Sequence, residues 1–200
     1  RERPFEHVVI PRHTSFRIQE GAEEGIQSAY AAMMRDKQRN DLVFNDLLSA
    51  LEEGCSPLLL TERTEHVDEF AERLKGFAKN AIVLKGGTGK KQRNELTEQI
   101  ASIPDGEERV LIATGRYIGE GFDDARLDTL FLAMPISWRG TLQQYAGRLH
   151  RLHDNKKVVR IYDYVDVEVP MLIRMYQKRL KGYRAIGYSV QDVENAPDQF

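Results

Sequence analysis

Cysteine, long apolar runs and a secretion signal are what this sequence lacks. Cys55 is the single cysteine of 200 residues, so the chain by itself can build neither a disulfide framework nor a zinc cluster. A reducing, cytoplasmic setting fits this best. No apolar run approaches the roughly 20 residues that a membrane-spanning helix needs, so we expect no membrane partner. The opening RERPFEHVVI has neither the apolar core of a signal peptide nor an initiator methionine, and we expect a part of a longer protein.

An excess of charge of one sign is also absent. The net charge of −2 excludes a uniformly basic nucleic-acid-binding protein. Basic residues are instead concentrated in two runs, Lys85, Lys90, Lys91 and Arg93 in the first and Arg139, Arg148, Arg151, Lys156, Lys157 and Arg160 in the second. Such local patches recognise phosphate groups, although they are also typical of ordinary solvated faces. With 41% hydrophobic residues and no repeats, the chain should fold into one or two compact domains.

Short apolar runs alternate with amphipathic segments after residue 55. Strands are predicted at 57–61, 81–85, 109–113, 128–133 and 158–165. Helices are predicted through Val67, Phe70, Ala71 and Leu74, and at about 90–101, 141–153 and 170–180. Strands separated by helices predict an α/β domain whose mainly parallel sheet is covered on both faces. Functional loops are then expected beyond the carboxyl ends of the strands.

The first 55 residues have a different pattern. EHVVIPRHTSFRI predicts an extended segment interrupted by Pro11, and two helices follow at about 24–35 and 41–51. We interpret residues 1–55 as an N-terminal elaboration that packs on a domain formed by residues 56–200.

The stretch LKGGTGKK, residues 84–91, looks at first like a phosphate-binding loop. That loop requires G-x-x-x-x-G-K-[ST], in which the first glycine makes the turn and the last hydroxyl holds magnesium. Here Leu84 replaces the first glycine and Lys91 replaces the hydroxyl residue. The stretch is therefore not such a loop.

The segment TLQQYAGRLHRLH, residues 141–153, has two distinct faces if it is a helix. Gln144, Arg148 and Arg151 share one face, while Leu142, Tyr145, Leu149 and Leu152 share another. Gly147 lies beside the polar stripe, where the absence of a side chain permits another backbone to approach closely. Glycine costs a helix about 1 kcal/mol relative to alanine, so its presence needs a reason. The simpler alternative is a surface helix with solvated arginines.

Four segments of the chain resemble the conserved motifs of superfamily 2 helicases and translocases. In chain order they are PLLLTERTEHV (57–67) for motif IV, the spacing from Gly86 to Arg93, ATGRYIGEGFD (113–123) for motif V, and Gln144 to Arg151 (Q-x-x-G-R-x-x-R) for motif VI. Their order, spacing and strand-loop placement agree over residues 57–165.

The resemblance implies the second of two RecA-like domains, a three-layer α/β/α fold, of an ATP-dependent helicase or translocase. A first RecA-like domain of the same polypeptide would make most of the contacts to ATP and Mg²⁺, so this chain alone would be inactive. The G-E-G-F-D form of motif V is most similar to DNA motors of restriction systems and repair helicases. This favours DNA over RNA as the partner.

The same resemblance implies three groups of site residues. Arg148 and Arg151 would be arginine fingers, and Gln144 would sit near the same phosphate or at the contact between the two domains. Residues on the nucleotide side would be Glu120, Gly121, Asp123 and Gly147. Residues that contact the nucleic-acid backbone would be Thr61, Arg63, Gly86, Arg93, Thr114 and Arg116.

Several alternatives stay open from the sequence. Asp123 is also compatible with an ordinary turn, and Thr61 with a helix N-cap. His150 and His153 have H-x-x-H spacing, but no third strong ligand accompanies them, so no metal site is predicted. At the level of function, the alternatives are a non-catalytic RecA-like binding module and an unrelated α/β enzyme such as a sugar-nucleotide transferase.

Overall fold

The computed structural model describes residues 5–137, 141–149, 153 and 156–192. Within them, seven strands form one parallel sheet in the order β3-β4-β2-β5-β6-β1-β7. The strands are β1 (Glu6–Thr14), β2 (Pro57–Thr61), β3 (Ala81–Leu84), β4 (Val110–Thr114), β5 (Thr129–Leu132), β6 (Val158–Asp166) and β7 (Ser189–Val190). The predicted parallel α/β sheet is confirmed.

Helices cover both faces of this sheet. They are α1 (Ile26–Arg35), α2 (Lys37–Glu52), α3 (Thr64–Leu74), α4 (Lys90–Ser102), α5 (Gly115–Gly119), α6 (Thr141–Arg148) and α7 (Pro170–Ala185). In the part of the chain described, no helix is both long and apolar enough to cross a membrane.

Successive residues of the central strands feed opposite cores, since side chains alternate across a sheet. Leu111 and Ala113 of β4 pack with α4, α5 and α6 on one face. Val110 and Ile112 pack with α2 and α3 on the other. The apolar runs of the central strands are therefore continuous because both faces are buried, which gives the three-layer α/β/α arrangement.

Strand β1 continues through Pro11, so the predicted interruption is wrong. The strand pairs with β6 along its whole length, but β7 reaches only Val8 and Val9. The Val9 carbonyl accepts a hydrogen bond from Gln191 on the β7 side, and Pro11, two residues on, faces that side beyond the end of β7. Its missing N–H thus costs no ladder hydrogen bond. The N-terminal residues supply a strand of the sheet as well as helices that cover it.

Two short elements were not predicted, and one helix is shorter than expected. Helix α5 has five residues and β7 has two, lengths too short to produce a recognisable period. Helix α6 ends at Arg148, not at residue 153.

Candidate functional site

The carboxyl ends of β2, β3 and β4 lie together at one edge of the sheet. Thr61 is in register with Thr114, and Leu84 is in register with Ala113. The loop after β3 and helix α5 after β4 therefore emerge side by side. The sequence motifs around residues 61, 86 and 114 meet at this edge, as expected for a parallel sheet.

A positively charged surface, which we call the basic edge, lies along these carboxyl ends. It comprises Lys85, Lys90, Lys91, Arg93 and Arg116. Lys90 and Lys91 are exposed in the first turn of α4, whose N-cap residue provides no side-chain hydrogen bond. Lys85 lies 2.5 Å from Asp68, so part of its charge is compensated. The basic edge combines exposed cations with the free N–H groups of a helix start, a combination that suits phosphate groups.

Gly86 is required by the close approach of Arg116. A Cβ atom at Gly86 would lie only 2.7–2.8 Å from the Cβ, Cγ and Cδ atoms of Arg116. The N–H of Gly86 donates a 2.9 Å hydrogen bond to the Thr114 hydroxyl, which also accepts from Tyr117 as the N-cap of α5. Thr114 is buried, and through these two hydrogen bonds its hydroxyl links the loop after β3 to helix α5.

Arg93 ties helix α4 to α5. Its guanidinium lies 2.7 Å from a carboxylate oxygen of Glu120, donates to the carbonyls of Tyr117 and Glu120, and stacks 4.0 Å from the Tyr117 ring centre. Arg116 contacts the other oxygen of Glu120 at 3.3 Å. Glu120 was expected on the nucleotide side, and the structure places it as the acidic bridge between two arginines of the basic edge.

Thr61 does not reach the surface. It is fully buried, and its hydroxyl lies 2.8 Å from Nδ1 of His66, whose Nε2 lies 2.9 Å from the Asn40 side chain. Burial, helped by the charge of Arg39, lowers the pKa of His66 to about 3, so this imidazole is neutral. The N-cap of α3 is Arg63, so the alternative of Thr61 as N-cap is wrong.

Arg63 and Glu62 occupy the loop between β2 and α3. Arg63 donates to the backbone and side-chain oxygens of Gln27 in α1. Glu62, which the motif comparison missed, lies over Gly115, since a Cβ atom there would meet its carboxylate at 2.6 Å. Desolvation raises the pKa of this carboxyl group. The glycine at position 115 is what makes room for it.

Helix α6 presents two faces as its sequence predicts. Leu142, Tyr145 and Leu149 are buried in the core, and the Tyr145 hydroxyl donates to the carbonyl of Gly115 at 3.3 Å. Gln144 and Gly147 are exposed. The side chain of Arg148 and the whole of Arg151 lie outside the described residues.

Gly121 and Asp123 follow α5 on the way to β5. Gly121 has φ 95°, in the left-handed region that favours glycine. Asp123 is exposed and lines a surface cavity of about 240 Å³ together with Phe122, Asp124 and His153. Among the residues described, no three side chains of the metal-ligating types are grouped to hold an ion.

The second basic run is only partly a surface charge. Lys156 is buried, and its ammonium group donates to the Leu149 carbonyl just past the end of α6. Desolvation lowers the pKa of this amine. Arg160 points to the Cys55 sulfur at 3.3 Å, and Lys157 is exposed. Arg139 lies outside the described residues.

Comparison with known proteins agrees with this geometry. Residues 40–153 match the family described as helicase conserved C-terminal domain. Transcript termination protein A18 of vaccinia virus (strain Ankara) is 28% identical over 118 residues, 58% of this chain and 23% of the viral protein. The chain thus spans about a quarter of the length of the curated relatives it matches.

Solved structures share the fold. The crystal structure of T4 UvsW has a TM-score of 0.68 at 13% identity, over 94% of this chain and 41% of that one. Dbp5 of S. cerevisiae bound to RNA and ADP BeF3 has a TM-score of 0.58 at 14% identity, over 97% of this chain and 43% of that one. The chain belongs to the helicase conserved C-terminal domain family and has the fold of the second RecA-like domain of superfamily 2 helicases.

Proposed function

We propose that this chain is the second motor domain of a nucleic-acid-dependent ATPase. In this proposal, α6 faces ATP and Mg²⁺ held by a first RecA-like domain, and the basic edge contacts the nucleic-acid backbone. One observation carries the proposal: the Tyr145 hydroxyl of α6 bonds to Gly115 at the start of α5, while Gln144 and Gly147 on the same helix face outward. Helix α6, which would face the nucleotide, is therefore in direct contact with helix α5, which would face the nucleic-acid strand.

The outward face of α6 supports the role of Arg148 and Arg151. Helical spacing puts Arg148, the last residue of α6, on the stripe of Gln144 and away from the buried Leu142 and Tyr145, and Arg151 follows three residues later in the sequence. Phosphoryl transfer needs positive charge where negative charge develops on the γ-phosphate oxygens, and a guanidinium provides it in a planar, always ionised form. Arginine fingers contribute about 10³–10⁵ in rate, or roughly 4–7 kcal/mol.

The residues of this chain that could contact a nucleotide would form only part of a nucleotide-binding site. A Cβ atom at Gly147 would meet nothing within 4 Å, so the surface there is open to a second domain. We assign Gly121 and Asp123 to the same side because both are exposed between α5 and β5. The phosphate-binding loop is absent from residues 84–91, so most contacts to ATP and Mg²⁺ belong to the first domain.

Contacts to nucleic acid are assigned to the basic edge. Arg116 is the most accessible of its arginines, with 73% of its side chain exposed, and it lies against Gly86 near the uncapped start of α4. Arg93 and Thr114 would contribute indirectly, because their hydrogen bonds hold α5 in place below the basic edge. Arg63 borders the same edge. Such contacts position a strand without reading its sequence.

We propose that the basic edge binds the phosphate backbone of a nucleic acid, whether the sugar is deoxyribose or ribose. The motif V form favours DNA in a restriction or repair setting. By contrast, the viral relatives are named for transcript termination, and the Dbp5 structure contains RNA. Single-stranded DNA and RNA of the same length and sequence, compared side by side in the assay below, decide between them.

The test replaces Arg148 by alanine in the full-length protein. Nucleic-acid-stimulated ATP turnover should fall by about 10³-fold or more, while ATP binding and thermal stability stay close to wild type. Gln143→Ala is the matched control, because Gln143 is exposed on the same helix and lies off the stripe of Gln144. It should retain wild-type turnover.

Near wild-type turnover in Arg148→Ala would remove Arg148 from the catalytic role. Wild-type protein that binds nucleic acid without hydrolysing ATP would favour the non-catalytic module. The purified 200-residue chain should show no ATPase activity and only weak binding to single strands that weakens further as salt is raised.

A further inference from the structure

The segment that connects β5 to α6 is held by side chains from three helices. Residues 133–137, here called the β5–α6 loop, have no regular secondary structure, and residues 133–136 are buried. Three of the loop's carbonyls, at Ala133, Pro135 and Ile136, accept hydrogen bonds from side chains of three different helices.

The first donor is Arg39 of α2. Its guanidinium is 1% exposed, forms a two-point ion pair with Asp166 at 2.8 and 3.2 Å, and bonds to the Ala133 carbonyl. The Thr14 hydroxyl also donates to Asp166. The carboxylate at the end of β6 therefore fixes the arginine, and the arginine fixes the start of the loop.

The second donor repeats this design from the other side. Arg179 of α7 is also 1% exposed, pairs with Asp163 at 2.8 and 2.9 Å, and donates to the Ile136 carbonyl at 3.1 Å. The Tyr183 hydroxyl donates to Asp163 at 2.9 Å. Burial disfavours the charge of Arg179, but the adjacent carboxylate outweighs it and raises the pKa of the guanidinium.

The third donor is Tyr30 of α1, whose hydroxyl bonds to the Pro135 carbonyl at 2.6 Å. Its ring packs with Phe16, Met33, Met134 and Leu172 in a separate small core. The three donors thus reach the loop from α1, α2 and α7, so its path depends on elements that flank it on several sides.

Satisfying buried carbonyls alone would not need this arrangement. A buried carbonyl must have a partner, but a neighbouring backbone N–H or a neutral side chain serves as well. Two ion pairs buried to this degree carry a desolvation cost that their pairing only partly offsets. Paired arginines gain in return a fixed position, since two-point pairing sets the plane of each guanidinium.

We propose that Tyr30, Arg39 and Arg179 are positioning residues that set where α6 begins, and hence where its outward stripe meets the nucleotide. This rests on the proposed function of α6. None of the three lies on α6 itself. Each acts through the β5–α6 loop.

The test removes one hydroxyl and compares it with a matched hydroxyl elsewhere. Tyr30→Phe loses the bond to the loop, whereas Tyr164→Phe loses a buried 2.9 Å bond to Asp46 and keeps the ring that lies near Arg39. In full-length protein, Tyr30→Phe should lower kcat for ATP about three- to tenfold, as expected for one lost hydrogen bond, with KM unchanged. Tyr164→Phe should lose similar thermal stability and keep its kcat.

A second readout does not depend on ATP turnover. Trp138 is the only tryptophan of the 200-residue chain and directly follows the β5–α6 loop in sequence. In the 200-residue chain, the fluorescence emission maximum of Trp138 should shift in Tyr30→Phe and stay constant in Tyr164→Phe. If the wild type proves inactive as an ATPase, the proposed function fails and this spectrum still tests the loop.

Equal kcat and equal emission in the two variants would overturn the positioning role. Should Tyr30→Phe fail to fold, Arg179→Lys replaces it, because lysine keeps a charge beside Asp163 and gives up the bridge to Ile136. Its control is Arg12→Lys, the same change in the Arg12–Asp46 pair. Loss of kcat and an emission shift in Arg179→Lys alone support the role, and equal behaviour of both variants refutes it.

Discussion

Replacement of Gly86 by alanine tests the packing beneath the basic edge. The φ angle of Gly86 lies outside the left-handed region, so alanine meets no backbone strain there. Its Cβ atom would instead lie 2.8 Å from Cβ of Arg116 and 2.7 Å from Cδ. Rotating the Arg116 side chain moves Cγ and Cδ but leaves Cβ in place, so α5 or the loop after β3 must move.

The size of the effect follows from that distance. Carbon atoms in contact prefer separations of about 3.5 Å or more, so the backbone must shift by roughly 0.7 Å. Overpacking of this kind costs about 1–3 kcal/mol. Urea unfolding of the 200-residue chain should therefore show a lower free energy of unfolding for Gly86→Ala by that amount. Displacing Arg116 should also reduce the salt dependence of single-strand binding, by about 0.7 in the logarithmic slope for one lost phosphate contact.

Gly106→Ala provides the matched control. A Cβ atom at Gly106 meets nothing within 4 Å, and its φ is also ordinary. This variant should be neutral or gain up to about 1 kcal/mol, since alanine restricts the unfolded chain. If Gly86→Ala were as stable as Gly106→Ala, the close contact between Gly86 and Arg116 would be refuted.

Two further substitutions have defined signs. Arg93→Ala should lower the free energy of unfolding by about 1–3 kcal/mol, because it removes a charged hydrogen bond to Glu120 and the stacking on Tyr117. Arg116→Ala should lower it by less than about 0.5 kcal/mol, because the Arg116 side chain is largely exposed. Equal losses for the two variants in urea unfolding would contradict the structure. The lowered pKa of His66, about 3 against 6.5, means that only the unfolded chain binds its proton between these values. Unfolding free energy should thus fall by up to ~1.4 kcal/mol per pH unit below 6.5, and a persistent slope in His66→Gln would assign it to other groups.

The order of elements and the faces of α6 were accessible from the sequence. Alternation of strands and helices required a parallel sheet, and the spacing of Leu142, Tyr145 and Leu149 required one buried face. Both inferences use local periodicity, which the chain carries whatever its distant contacts are. The continuity of β1 was not accessible, because whether Pro11 breaks a strand depends on how far β7 extends beside it.

The individual roles at the basic edge also needed tertiary contacts. The motifs around Thr61, Gly86 and Glu120 meet at one edge of the sheet, as the parallel strand order predicts. Burial then turned the Thr61 hydroxyl inward to His66, and proximity paired Glu120 with Arg93. Such distinctions depend on distances between side chains far apart in sequence.

The sequence by itself determined the layer architecture, the edge where the motifs converge and the buried face of α6. These follow from periods of two and 3.6 residues and from the rule that parallel strands end on the same side. Only the tertiary structure decided which polar groups face solvent and which are internal supports. Arg39 and Arg179 show why: nothing in the sequence distinguishes them from other arginines, and only folding places each beside a buried aspartate and a loop carbonyl.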